Sequence, residues 1–114
     1  MRKYTDSPMW NAGLNQKMWD LYLRDGDHGI PQYAAPLLAR DFSGLPPAYV
    51  EVEEFDCLHD EGAAYAWALQ AAGVEVQLED IPGTFHGFDF FTGKGISQAV
   101  VQKRVRALRQ AFAC

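Results

Sequence analysis

The sequence is short of cysteine, of basic charge and of long apolar runs, and each shortage removes a class of answers. Two cysteines, Cys57 and Cys114, are too few for a disulfide framework and lack the spacing of a metal site. A reduced, cytoplasmic setting is the simplest expectation. Cys114 ends the chain, where it could cross-link two copies in oxidising buffer. No apolar run approaches the ~18 residues that cross a bilayer. The opening Met1-Arg2-Lys3-Tyr4-Thr5-Asp6 is basic with no apolar stretch behind it, so no secretory signal is expected. A net charge of −5 argues against nucleic acid or an anionic membrane surface as partner. No repeat or low-complexity stretch is present.

What remains is the composition of one soluble globular domain: 114 residues, 48% apolar and 22% charged. Residues 1–13 read as irregular, with turn signals at Ser7-Pro8 and Asn11-Ala12-Gly13. Asn15–Leu23 reads as a short helix, since Met18, Leu21 and Tyr22 recur at helical spacing. Residues 24–47 are rich in glycine and proline, a long connection with a short helical turn near Pro36–Arg40; such a length points to a function or to a larger structure. Ala48–Phe55 alternates as a strand, with Ala48, Val50 and Val52 on one face and Tyr49, Glu51 and Glu53 on the other. Asp60 is the expected N-cap of a helix running to Ala72, whose stripe Ala64, Trp67, Ala68 and Ala71 should lie on the sheet. Gly73 should end it in a left-handed cap. Val74–Ile81 reads as a second strand with one wet face, fitting a sheet edge. Strand, helix and strand at this spacing predict a βαβ unit with two parallel strands. A last helix, capped by Ser97, should run to Phe112. Its apolar face is Val100, Val101, Val105, Leu108 and Phe112, and Lys103, Arg104, Arg106 and Arg109 form a solvated basic face.

Two residues stand where chemistry would be expected. Parallel sheets carry function at the carboxyl ends of their strands. Asp56 follows the first strand and His86 follows the second, so adjacent strands would bring both to one rim. A carboxylate bonded to one imidazole nitrogen fixes the tautomer, leaving the other nitrogen to take a proton from a hydroxyl. Two surface loop residues are the plain alternative.

The motifs around them resemble a known family. Leu45-Pro46-Pro47-Ala48-Tyr49-Val50, then Phe55-Asp56-Cys57-Leu58-His59-Asp60-Glu61-Gly62, then Ala71-Ala72-Gly73-Val74, then Pro82-Gly83-Thr84-Phe85-His86-Gly87-Phe88 are similar to the C-terminal part of the hormone-sensitive-lipase-like esterases. These are α/β hydrolases that cleave carboxylic esters. Ser7-Pro8-Met9-Trp10-Asn11 and Trp19-Asp20-Leu21-Tyr22-Leu23 resemble the segment before the acid-bearing strand, part of the cap over the active site. The resemblance implies a partial α/β-hydrolase fold: a cap-like and connecting segment over 1–46, and a C-terminal βαβα part over 47–114. It implies Asp56 as triad acid and His86 as triad base, and it calls for no cofactor.

The family's nucleophile, a serine in G-x-S-x-G ahead of the acid and histidine, has no counterpart in these 114 residues, nor does an HGGG-type oxyanion segment. Gly95-Ile96-Ser97-Gln98-Ala99 follows the histidine and reads as a helix start. Ser7 and Ser43 sit in turns. Cys57 adjoins the acid and is a nucleophile in principle, but neighbouring strand-end residues point apart. Asp25-Gly26-Asp27-His28-Gly29 lacks the third acid and distal glutamate of a calcium loop. His59, beside Asp60 and Glu61, lacks a second histidine at metal spacing. Trp10, Trp19 and Trp67 read as packing residues. Two partners are therefore expected: a small ester substrate once an N-terminal half completes the site, and a second copy paired through the exposed strand at 48–55. The alternative is a non-catalytic module that self-associates or binds a small ligand.

Overall fold

Two short parallel strands form the centre of the molecule, with a helix on each face. The computed structural model describes residues 4–91 and 95–113. Residues 1–3 and Cys114, the expected cross-linking thiol, lie outside the described residues. Strands β1 (Ala48–Glu53) and β2 (Val76–Ile81) pair in parallel, with Ala48 opposite Val76 and Glu53 opposite Ile81. Both are shorter than expected. After Glu53 the chain turns, the Asp56 N–H donating to the Glu53 carbonyl. At the other strand, Val74 spends its N–H on the preceding helix.

Helix α1 (Ala12–Tyr22) starts before the expected Asn15 because Asn11 caps it, its side chain accepting from the Gly13 and Leu14 amides. The connection that follows carries one helical turn, α2 (Pro31–Ala34), and a 3-10 turn at Pro36–Leu38. No described helix is long and apolar enough to cross a membrane.

Helix α3 (His59–Ala71) lies across β1 on a different face from the one the apolar spacing suggested. Ala63, Ala66 and Leu69 are buried, whereas Trp67 is 60% exposed. The reason is Gly62. A Cβ there would stand 2.7 Å from Val52 Cγ1, so the helix backbone sits directly on the strand. Ala66 and Leu69 follow Gly62 at i+4 and i+7 and are carried into the core with it. Nor is Asp60 the N-cap. Leu58 holds that position, and Asp60 and Glu61 lie inside the first turn, where their charge suits the helix dipole. Gly73 (φ +83°) closes the helix as expected. Its N–H donates to the Gln70 carbonyl and the Val74 N–H to the Leu69 carbonyl, the two bonds of a Schellman cap.

Helix α4 (Ile96–Phe112) covers the other sheet face, and here too the orientation differs in part from the one expected. Ser97 is buried within the helix, and Gly95 precedes it without a side-chain cap. Of the apolar stripe only Val100 is buried; Val101, Val105, Leu108 and Phe112 are exposed. Of the four basic residues, Lys103 and Arg104 face the sheet, while Arg106 and Arg109 stay exposed as expected. Lys103 Nζ reaches Glu79 Oε2 at 2.5 Å, and the Arg104 guanidinium pairs with both Glu51 and Asp89. Parallel register sets Glu51 directly opposite Glu79, and like charges facing each other across a ladder destabilise it. The two cations of α4 cancel that repulsion. The Tyr49 hydroxyl also donates to Glu51. Arg104 holds the Asp89 carboxyl below its ordinary range, chiefly by a direct hydrogen bond.

Replacing Arg104 with Gln should therefore lower stability at pH 7 by about 1–3 kcal/mol, less than a fully buried pair because a third of the side chain meets solvent. Asp89 titrates lower folded than unfolded, so its contribution is complete above about pH 4 and lost as pH falls below that. Urea denaturation at pH 7 and pH 3 should show the gap between wild type and variant closing at the lower pH.

Candidate active site

The parallel register brings the carboxyl ends of β1 and β2 to one rim, and the two residues singled out there meet. His86 Nδ1 lies 2.7 Å from Asp56 Oδ2. Asp56 is buried, its side chain 5% exposed, while the His86 side chain is 45% exposed. The second carboxylate oxygen of Asp56 accepts the Leu58 N–H at 2.9 Å, and the Asp56 carbonyl accepts the His59 N–H. The acid is thus fixed by the turn that launches α3. Because Asp56 accepts at Nδ1, a neutral imidazole carries its proton there and keeps its lone pair on Nε2. Among the described residues nothing hydrogen-bonds Nε2.

The histidine loop is held from below. The buried Thr84 hydroxyl donates to the Ile81 carbonyl at 2.7 Å, and the Thr84 carbonyl accepts from the Phe55 N–H. Ile81, Phe88 and Val100 form a small buried cluster with Phe85 against it. Between His86 and Phe88 stands Gly87 at φ +74°, and a Cβ there would press to 3.2 Å from the Phe90 ring. Arg104 reaches the same segment through Asp89.

The N-terminal stretch closes over this rim in ways the sequence did not announce. Ser7 donates its hydroxyl proton to the Phe55 carbonyl at 2.7 Å, and the Tyr4 and Phe55 rings meet edge to face. The Trp10 ring lies 6.0 Å from the His86 ring, centroid to centroid. Its indole N–H donates to the fully buried Asn15. Trp10 is thus a neighbour of the imidazole rather than simple packing. Trp19 lines an apolar groove of about 480 Å³ with Leu37, Leu38, Leu58 and Tyr65.

The remaining sequence candidates separate clearly. Ser7 is committed to a backbone carbonyl, Ser97 is buried in α4 and Ser43 closes a turn with Asp41. Cys57 is buried, and burial together with the Asp56 charge raises its thiol above the ordinary range, the opposite of activation. Asp27 accepts the Gly29 N–H within a solvent-exposed turn. His59 lies between Asp60 and Asp80. Among the described residues no group of three or more His, Cys, Asp or Glu side chains converges as a metal would require.

With the site in place, the relatives are informative. The profile of a family described as "alpha/beta hydrolase fold" matches residues 1–90. The chain belongs to the α/β-hydrolase fold family. It is a partial copy of that fold, of the hormone-sensitive-lipase-like esterase branch. It is 44% identical over 90 residues to the carboxylic ester hydrolase LipN of Mycobacterium tuberculosis, covering 77% of this chain and 24% of LipN. It is 42% identical over 78 residues to carboxylesterase NlhH of the same organism, covering 60% of this chain and 24% of NlhH. Among solved structures a bacterial heroin esterase superposes with TM-score 0.90 at 35% identity, covering 97% of this chain and 37% of that one. The chain thus spans about a quarter of the length of the curated relatives it matches.

One acidic residue at the rim escaped the sequence. Glu53 lies on the polar face of β1, yet it is half-buried and its carboxyl is pushed up to about 7, first by burial and then by the charges of Glu51 and Asp56. Its parity with Glu51 was the available signal, since both face α4. Its folded-state affinity for a proton exceeds the unfolded one, so ionising it costs stability as pH rises from about 4.3 through 7. Glu53→Gln should therefore stabilise the chain at pH 8 by about 1 kcal/mol, after discounting for partial solvent screening, and change little at pH 5. Urea midpoints at the two pH values measure both effects.

Proposed function

We propose that this chain supplies the acid and base of a Ser-His-Asp carboxylesterase site, and that the nucleophilic serine comes from a segment outside these 114 residues. The observation carrying the proposal is the 2.7 Å contact of His86 Nδ1 with the buried Asp56 carboxylate. The names of LipN and NlhH support ester hydrolysis as the reaction. Asp56 orients His86 and stabilises its cationic form. His86 Nε2 takes the serine proton as the serine oxygen bonds to the ester carbonyl carbon. The tetrahedral intermediate collapses, and His86 returns that proton to the departing alcohol. Water, activated by the same nitrogen, then releases the acid and regenerates the serine.

The outer edge of β1 is unpaired among the described residues. A strand of the completing segment would satisfy it. The same edge supports a second reading, a non-catalytic two-fold dimer in which β1 pairs with its copy.

Hydrolysis of p-nitrophenyl acetate tests the proposal. The 114-residue chain alone should give no turnover above background. Co-expressed with the serine-bearing segment that precedes the matched region of LipN, it should hydrolyse the ester. His86→Ala should then reduce the rate by roughly 10²–10⁴-fold. Turnover by the chain alone that His86→Ala abolishes would refute the external serine, and an inactive assembled complex would refute the esterase assignment. Light scattering of the isolated chain decides the dimer.

A further inference from the structure

His59 opens α3, and its ring is held at both nitrogens. Nδ1 lies 2.8 Å from Asp60 Oδ1 and Nε2 lies 3.2 Å from Asp80 Oδ2. A neutral imidazole has one N–H and one lone pair. It can donate to one carboxylate only, and its lone pair would then face the oxygen lone pairs of the other. Two carboxylate partners at these distances suit only the doubly protonated ring. That cation has no lone pair left for a metal.

The placement matters because of what each partner belongs to. His59 sits in the turn fixed by Asp56, to whose carbonyl it donates its own backbone N–H. Asp80 lies near the carboxyl end of β2, opposite Val52, just before the loop that carries His86. We infer that His59, as imidazolium, is a positioning residue that ties the turn bearing Asp56 to the strand leading into the His86 loop and so holds Asp56 and His86 in register, releasing them when it loses its proton. The inference rests on the Asp56–His86 pair being the working acid and base.

The surroundings favour the charged ring. The cleft beside it is lined by Tyr4, Glu54, Asp80 and Pro82. From α3 comes Asp60, from β2 Asp80, from the connection after β1 Glu54, and from the N-terminal stretch Tyr4. None of these is basic. Glu54 already accepts the Gly83 N–H at 2.8 Å, tying the same two segments a second time. The two carboxylate bonds raise the proton affinity of His59 above the ordinary imidazole range, and partial burial opposes them without prevailing. A group with a raised folded-state pKa stabilises fully below its unfolded value, about 6.5. It loses that contribution as pH climbs through the folded value. The tie is therefore complete at mildly acidic pH and released on the alkaline side.

Nuclear magnetic resonance of the imidazole nitrogens and protons in the full 114-residue chain tests this without requiring turnover. His59 should titrate above about 6.5, and the His86 Nδ1 proton should exchange with solvent faster as His59 deprotonates. His59→Gln should show exchange faster by about tenfold or more at pH 6, the scale of losing a charge-assisted hydrogen bond. His59→Arg, which keeps a permanent cation between the two carboxylates, should hold exchange slow from pH 6 to 9. Titration of His59 at or below the ordinary value would overturn the inference. So would a His59→Arg chain whose His86 proton behaves as in His59→Gln. An inactive assembled enzyme in which the exchange pattern holds would sink the esterase assignment and leave the tie standing. A His86 Nδ1 proton absent at every pH in the wild type would sink both.

Discussion

Parallel pairing of β1 with β2 is the constraint on which the rest depends. It sends both carboxyl ends to one rim, so that a carboxylate and an imidazole far apart in sequence meet without any long-range reach. An antiparallel pair would put them at opposite ends of the sheet. Parallel pairing requires a crossover, and α3 supplies it. The residues that seat α3 therefore also seat Asp56. Gly62 lets the helix backbone rest on Val52, and the first turn of that helix is built on the Asp56 side chain and carbonyl. Fold and site share one set of hydrogen bonds.

The same register creates the main electrostatic difficulty of the molecule. Setting Glu51 against Glu79 on one face is unfavourable, and α4 resolves it by presenting Lys103 and Arg104 to the sheet. Helix geometry then dictates the rest. Val100, Lys103, Arg104 and Ala107 fall on one stripe at i, i+3, i+4 and i+7, and the neighbouring stripe of Val101, Val105 and Leu108 is left in solvent. Through its other arm Arg104 also anchors Asp89, close to His86. One guanidinium thus joins the strand that precedes Asp56 to the segment that follows His86.

Much of this was legible in the residues, and the failures share a cause. Alternation in Tyr49–Glu53 and Val76–Ile81 gave both strands and their faces. Gly73 gave the end of α3, and the motifs around Asp56 and His86 gave the pair itself. Which face each helix would present was not legible, because apolar periodicity assumes that apolar surface is what gets covered. For α3 the deciding atom was the absent Cβ of Gly62, and for α4 it was charge on the sheet beneath. The caps failed for a related reason. Asp60 and Ser97 are good capping residues by type, but Asp56 and Gly95 had already set where the helices begin. Trp10 beside His86 and Ser7 on the Phe55 carbonyl were invisible because an irregular segment carries no period to extrapolate. Glu53 was misjudged because a face polar in sequence became half-buried beneath α4.

The Asp56–His86 pair is formed without any third group. Every group that fixes Asp56 and His86 among the described residues lies within this chain: the Leu58 and His59 amides, Thr84, Gly87, and the Ile81, Phe88 and Val100 cluster. Preorganisation of this kind reduces the entropy to be lost when a third group arrives, because the imidazole already has its tautomer and its orientation. The cost is a buried carboxylate with a half-exposed histidine as its facing side-chain partner, an arrangement that desolvation alone would disfavour. Such a pair persists because both carboxylate oxygens are partnered, one by the backbone N–H of Leu58 and the other by the His86 imidazole. In the proposed reaction, a serine brought to Nε2 would therefore meet an imidazole whose direction is set by the βαβ unit, not by the serine's own segment.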